Sequence, residues 1–202
     1  MDGRIISETI LYLGRIASGD GLVAGLTSGQ WTVLRYFARA NRFSRTPSAF
    51  AAFHGTTRGT ASQVIKSLVA QSYLKQTRSK ADGRSVRLDL THRARAIIAK
   101  DPHEALVRAA DALPPGVRGH FANILQRMQC SVASVTGKPI FGTCVRCKHL
   151  EGYGCYKQGC GEYACGFVNE PLSEDELEEL CIHFMPDRPA PPRTPTIGAA
   201  SR

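Results

Sequence analysis

Apolar residues recur at steps of three and four along most of the first 135 positions, the period of amphipathic helices. Ile6, Ile10, Leu13 and Ile16 predict a helix over Ile5–Ile16, broken by Asp20-Gly21. A second helix opens at Leu26-Thr27-Ser28, with Thr27 or Ser28 as N-cap and Trp31, Leu34 and Phe37 on one face. Thr46-Pro47-Ser48 starts a short third helix, because a first turn does not need the N–H that proline lacks. It carries Phe50, Ala51 and Phe53 and stops at His54-Gly55. The fourth runs from Thr56-Thr57 to about Gln71, with Val64, Ile65, Leu68 and Val69 as its buried stripe.

The period then changes to two. Val86, Leu88 and Leu90 alternate after Lys75, with Ala81-Asp82-Gly83-Arg84 as the turn of a β-hairpin. Thr91 caps a further helix through Ala94, Ile97 and Ile98 that is expected to continue past Pro102 to Leu113. Pro114-Pro115-Gly116 interrupts, and Val117–Val135 forms the last long helix, with Phe121, Ile124, Leu125, Met128 and Val132 on one side. Beyond Gly137-Lys138-Pro139 the pattern fades. Positions 143–183 are Gly-rich and poor in apolar residues, and predict a single helix from Ser173 to about Ile182 behind a Ser173-x-x-Glu176 capping box. Residues 188–202 hold four prolines and read as a disordered tail.

The expected fold class is therefore mainly α with a small β-hairpin (α+β), in three parts: 1–138, a Cys-rich module at 139–187, and the tail. Charge and cysteine follow the same division. The whole chain has 202 residues, a net charge of +9 and 7 cysteines. Residues 1–138 hold 20 Lys+Arg against 8 Asp+Glu, and the remainder 6 against 9, so +12 precedes −3. Six of the cysteines lie in the second part, with Cys130 alone in the first. A basic segment points to a polyanion partner, and a cysteine-dense one to a metal site. No stretch approaches the roughly 20 apolar residues that cross a bilayer. The start lacks a basic region followed by an apolar core, so no secretory signal and a cytoplasmic location are expected. In that reducing compartment structural disulfides are not expected. No catalytic arrangement stands out, and the chain does not read as an enzyme.

Helix, tight turn, helix and basic hairpin is the order of a winged helix-turn-helix, in which one helix enters the major groove of double-stranded DNA. Nine Lys/Arg and two Asp fall between Arg58 and Arg95, where phosphates would lie. The candidate contacts on the fourth helix are Thr57, Arg58, Thr60, Gln63 and Lys66. Thr57 suits a phosphate at the helix N-terminus. Gln63 suits adenine and Arg58 guanine, while Thr60 or Ala61 suits a thymine methyl. On the hairpin, Arg84 is the candidate for a narrow minor groove, oriented by Asp82, with Arg78, Lys80 and Arg87 on phosphates. The competing reading is a protein-docking winged helix whose charges form a solvated face.

Three segments in order carry a family resemblance. Leu26-Thr-x-x-Gln30-Trp31-x-Val33-Leu34, Thr57-Arg-Gly-Thr-Ala-Ser-Gln-Val-Ile-x-x-Leu68 and Asp82-Gly83-Arg84-Ser85-x-x-Leu88-x-Leu90-Thr91 resemble the MarR family of bacterial regulators. The similarity covers about residues 5–135. It departs at Ser72, where the family usually has glycine, and at Ala94, where it usually has Thr-x-x-Gly after the wing. The resemblance implies a homodimer joined through about 5–18 and 93–135, a pseudo-palindromic operator, and repression rather than activation.

The cysteines read Cys144-x2-Cys147-x7-Cys155-x4-Cys160-x4-Cys165-x15-Cys181. A Cys-x2-Cys pair puts two thiolates on one turn, and further cysteines must return from distant loops to close a site. Cys144, Cys147, Cys165 and Cys181 are the preferred four, with Cys155 and Cys160 as alternates. Their spacing loosely resembles high-potential iron–sulfur proteins. An all-Cys donor set, a Gly-rich backbone and the aromatics Phe141, Tyr153, Tyr156, Tyr163, Phe167 and Phe184 favour an iron–sulfur cluster, 4Fe–4S or 2Fe–2S. Zn as a structural staple and a thiol–disulfide switch stay open. His149 and His183 are expected beside the ligands rather than among them, and Cys130 in packing. The functional expectation is a DNA-binding regulator whose cluster senses redox, oxygen or iron status, by tilting the two protomers through the last helix. The rival from another class is a small iron–sulfur electron-transfer protein.

Overall fold

The computed structural model describes residues 2–18, 23–78, 86–152 and 162–187. It is mostly helical with small antiparallel sheets. Helices α1 (Gly3–Ser18), α2 (Ser28–Arg39), α3 (Pro47–His54) and α4 (Arg58–Ala70) precede a hairpin of β1 (Leu74–Arg78) and β2 (Val86–Leu90). Then come α5 (His92–Ile98), α6 (Glu104–Asp111) and α7 (Pro115–Thr136). The local signals act as expected. Thr27 caps α2 in a capping box with Gln30, Thr46 caps α3, Thr57 caps α4 and Thr91 caps α5, each hydroxyl accepting from an otherwise orphan N–H. Gly55 ends α3 at φ +66, a left-handed cap that glycine takes without strain.

One core holds the first part. Trp31, Val33, Leu34, Tyr36 and Phe37 of α2 pack with Phe50 of α3, Ile65 and Leu68 of α4, Leu88 and Leu90 of β2, and Ala94 of α5. Each large side chain so buried contributes about 1.5–3 kcal/mol relative to exposure. Trp31 places its Nε1–H on the Val23 carbonyl at 3.1 Å, so its one polar group is satisfied. Phe53, expected in this face, is 39% exposed and rests on Tyr36 and Phe141 at the rim. Val64 and Val69 are only partly buried. The stripe of α4 is Ala61, Ile65 and Leu68.

Two helix boundaries correct the sequence reading. The helix expected to run past Pro102 is two helices, α5 and α6, separated at residues 99–103. Pro102 cannot donate to the helical ladder, and the Asp101 carboxylate turns to the Arg35 guanidinium at 2.5–2.9 Å. The helix expected from Ser173 to Ile182 is only α8 (Glu174–Leu177). Leu180–Cys181 instead forms β7, antiparallel to β3 (Gly142–Thr143). The capping box was the correct start signal, but Leu180 finds strand partners in tertiary structure.

The module also contains strands that its composition did not announce. A short 3-10 turn at Cys144–Arg146 leads to β4 (Leu150–Gly152), β5 (Tyr163–Cys165) and β6 (Glu170–Leu172), a three-stranded antiparallel sheet in that order. Its buried centre is small: Cys144, Cys165, Leu172 and Leu177. By contrast α1 and α7 leave apolar side chains in solvent, among them Ile10, Leu11, Ile16, Phe121 and Val132. Among the described residues, no helix is long and apolar enough to cross a membrane.

Candidate nucleic-acid interface and cysteine cluster

The heptad-like spacing of α4 separates two faces. Ala61, Ile65 and Leu68 anchor one in the core, while Arg58, Thr60, Gln63 and Lys66 stand exposed on the other. Thr57 is the N-cap residue of α4. It is exposed, but its hydroxyl accepts from the Thr60 N–H at 3.1 Å and lies 3.0 Å from the Thr60 hydroxyl. Both threonines therefore belong first to the N-cap. Ala61 is 1% exposed, so it is closed to a thymine methyl.

In the hairpin, Leu74 pairs with Leu90 and Arg78 with Val86, which sends Arg78 outward at the distal end. Arg87 is exposed, yet its Nη2 donates to the Arg42 carbonyl at 2.7 Å, so one edge of the guanidinium is held by the protein. Lys80, Asp82 and Arg84 lie outside the described residues. The segment 40–46 runs beside β2: the Leu88 N–H donates to the Arg45 carbonyl at 2.8 Å, and Arg45 spans Asp89 at 3.3 Å and Glu179 at 3.1 Å.

The tertiary structure gathers the four preferred cysteines into one neighbourhood. Cys144 begins the 3-10 turn and Cys147 follows it, its N–H donating to the Cys144 carbonyl at 2.9 Å. Cys165 arrives on β5 opposite Leu150, and Cys181 on β7 opposite Gly142. All four are thiols without a disulfide; Cys144, Cys165 and Cys181 are buried and Cys147 half-buried. Burial pushes the Cys144 thiol up to about 12, and the neighbouring Cys181, Cys147 and Cys165 add to the rise. Burial likewise raises Cys181, opposed by the Asn41 amide and the His183 backbone N–H.

The sulfurs meet donors. The His183 N–H points to Cys181 Sγ at 3.3 Å and the Met185 N–H to Cys147 Sγ at 3.5 Å. Asn41 is fully buried; its Nδ2 has no hydrogen-bond partner among the described residues and lies beside the Cys181 thiol. Backbone and amide N–H groups around sulfur stabilise thiolate, the form that binds metal. Among the described residues no three His, Cys, Asp or Glu side chains stand converged as a closed metal shell. The donor set nevertheless fits a thiophilic metal in its chemistry: four thiols from three separate segments, with N–H groups directed at two of them.

The flanking predictions divide. His183 stacks on Phe167 at a centroid distance of 4.7 Å, and His149 lies tilted against the same ring at 5.3 Å. Tyr163 packs on the cysteine centre and Phe184 is buried over Gly142. Phe141 turns instead to Tyr36 and Phe53. Cys155, Cys160, Tyr153 and Tyr156 lie outside the described residues. Cys130 is half-buried on α7. Asn41, Arg42, Ser44 and Arg45 were missed. In sequence they are four polar residues in a loop, and only the fold places them between the hairpin and the cysteines.

Residues 24–85 match the model of the MarR family. No curated protein matches the chain in sequence. A MarR transcriptional regulator from Methanosarcina mazei is similar in structure, with 24% identity, 66% of this chain and 99% of that chain covered, and a TM-score of 0.50. The transcriptional regulator PA3341 matches at 19% identity, with 65% and 98% covered and a TM-score of 0.55. A MarR protein from Peptoclostridium difficile matches at 16% identity, with 66% and 90% covered and a TM-score of 0.51. These chains are covered almost whole, while about a third of this one is left unmatched. The chain thus has the winged-helix fold of MarR proteins, and the sequence match to the MarR family lies in residues 24–85, from before α2 to just before β2.

Proposed function

We propose that the protein is a DNA-binding transcriptional regulator, a repressor, that acts in the cytoplasm as a homodimer on a pseudo-palindromic operator and is modulated by a Cys-ligated iron–sulfur cluster sensing redox, oxygen or iron status. The observation that carries the DNA reading is the split of α4. Its anchored face holds the helix rigid, and its outward face offers Arg58, Thr60, Gln63 and Lys66, donors of the kind that read base edges and phosphates. The exposed apolar residues of α1 and α7 support the dimer. Cys144, Cys147, Cys165 and Cys181 would hold the cluster, which supplies an electron-accepting and chemically labile centre.

Zinc is the second reading. It is favoured by the four-residue buried centre of the module, too small to fold without a staple. Protein purified without air separates the two. Iron and sulfide with a brown colour support the sensor. A colourless protein containing zinc supports the staple, and neither metal removes both. If Cys181→Ser leaves metal content unchanged, the ligand choice is wrong. A salt-dependent footprint on a palindrome supports the regulator. Arg84→Ala is expected to weaken that footprint while metal content stays constant. A protein without any footprint is not a regulator of this kind.

A further inference from the structure

We infer that the cysteine module acts on DNA binding through the 40–46 segment and the hairpin. The part played by metal rests on the function proposed above; the mechanical route does not.

The route is continuous in short, named contacts. Cys181 lies on β7, and the preceding residue Leu180 forms a parallel bridge with Ala40 and accepts the Asn41 N–H at 2.9 Å. The following residue, Ile182, donates its N–H to Ser44 Oγ at 2.8 Å. Asn41 Oδ1 in turn accepts from the Ser44 N–H at 3.1 Å and hydroxyl at 2.7 Å, so the loop is braced from inside. Asn41 and Ser44 are both fully buried. The Asn41 amide Nδ2, beside the Cys181 thiol, and Arg42 Nε are buried donors of this loop left without an acceptor among the described residues. A change at that sulfur therefore reaches the loop directly.

The acidic edge of the module completes the clamp. Arg42 Nη1 meets both Glu176 oxygens at 2.8 and 2.9 Å, and Nη2 meets Glu170 at 3.1 Å and the Pro171 carbonyl at 2.6 Å. Arg45 joins Glu179 to Asp89 of β2. On the other side of the same loop, Arg42 and Arg45 give their carbonyls to Arg87 and Leu88 of β2. One seven-residue segment thus holds the module on one edge and the DNA-side hairpin on the other. This also gives a use to the sign of the module: its carboxylates face two arginines of the basic part.

The test is Glu176→Gln with Glu179→Gln in the full-length protein. Glutamine keeps the capping box of α8, and neither residue is a candidate ligand or DNA contact. The readouts are metal content, affinity for the footprinted operator, and amide exchange at Leu88 and Asn41. The expected result is metal content equal to wild type, operator affinity changed at least 5-fold, and faster exchange at both amides. Wild-type affinity and wild-type exchange in the double variant would overturn the route. A second comparison strips metal with a chelator. Wild type is expected to change in affinity and the double variant little, whereas equal changes in both place the coupling elsewhere and also overturn it. If wild type carries no metal, the cluster reading fails alone, and the first comparison still decides the route.

Discussion

Arg35 ties α2 to the junction of α5 and α6, and its removal has a calculable cost. Its Nε–H is shared between the two Asp101 oxygens at 2.9 and 2.7 Å, its Nη2 meets Oδ1 at 2.5 Å, and Nη2 also reaches the Ala17 carbonyl at the end of α1 at 3.2 Å. The side chains are 20% and 9% exposed, so this is a largely desolvated pair. Arg35→Ala leaves the Asp101 carboxylate with one remaining donor, the His103 N–H at 2.9 Å. Losing one partner of a buried pair costs about 3–5 kcal/mol. The partial exposure of Arg35 and the surviving donor bring the expected loss to about 2–4 kcal/mol. Asp101→Ala should cost a similar amount, because the guanidinium keeps only the Ala17 carbonyl. The double variant should cost much less than the sum, with a coupling of about 2 kcal/mol. Urea unfolding at fixed protomer concentration measures all three. Single losses below about 1 kcal/mol, or an additive cycle within about 0.5 kcal/mol, would refute the reasoning and make the pair a solvated surface contact.

Two further predictions concern backbone and packing. Ser72 sits at φ +58 between α4 and β1, a left-handed conformation that costs a side chain about 1–2 kcal/mol. Ser72→Gly should raise stability by about 0.5–1 kcal/mol after glycine's greater unfolded-state entropy is counted, and an unchanged or lower midpoint in thermal unfolding counts against it. Gly142 faces the Phe184 ring so closely that an added Cβ would stand 2.6–2.7 Å from it. Gly142→Ala should loosen the β3–β7 pair by about 1–3 kcal/mol, seen as faster amide exchange at residues 142–147 and 180–185 with α2–α4 unaffected; unchanged exchange in the module would show that the ring has room to move.

The sequence by itself determined the local elements of the first part. Apolar steps of three and four, Thr27, Thr46, Thr57 and Thr91 as caps, Pro47 in a first turn and Gly55 at a stop are signals written within a few residues of where they act. The exposed row Arg58, Thr60, Gln63 and Lys66 was legible for the same reason, since helix period fixes which residues share a face. Tertiary structure decided what depended on distant partners. Whether α5 passes Pro102 turned on Arg35, 66 positions from Asp101. Whether residues 180–182 are helix or strand turned on Thr143, Asn41 and Ser44. The cysteine spacing could only suggest which thiols share a site; the placing of Cys144, Cys147, Cys165 and Cys181 depends on the pairing of β3, β5 and β7, and short strands with few apolar residues leave no periodic trace. The 40–46 loop is the sharpest case. Its polar residues carry no pattern because Leu180, Ile182, Glu176, Glu179 and Asp89, the groups that hold them, lie far away in the chain, and such long-range pairing of donors and acceptors is information that only the folded structure contains.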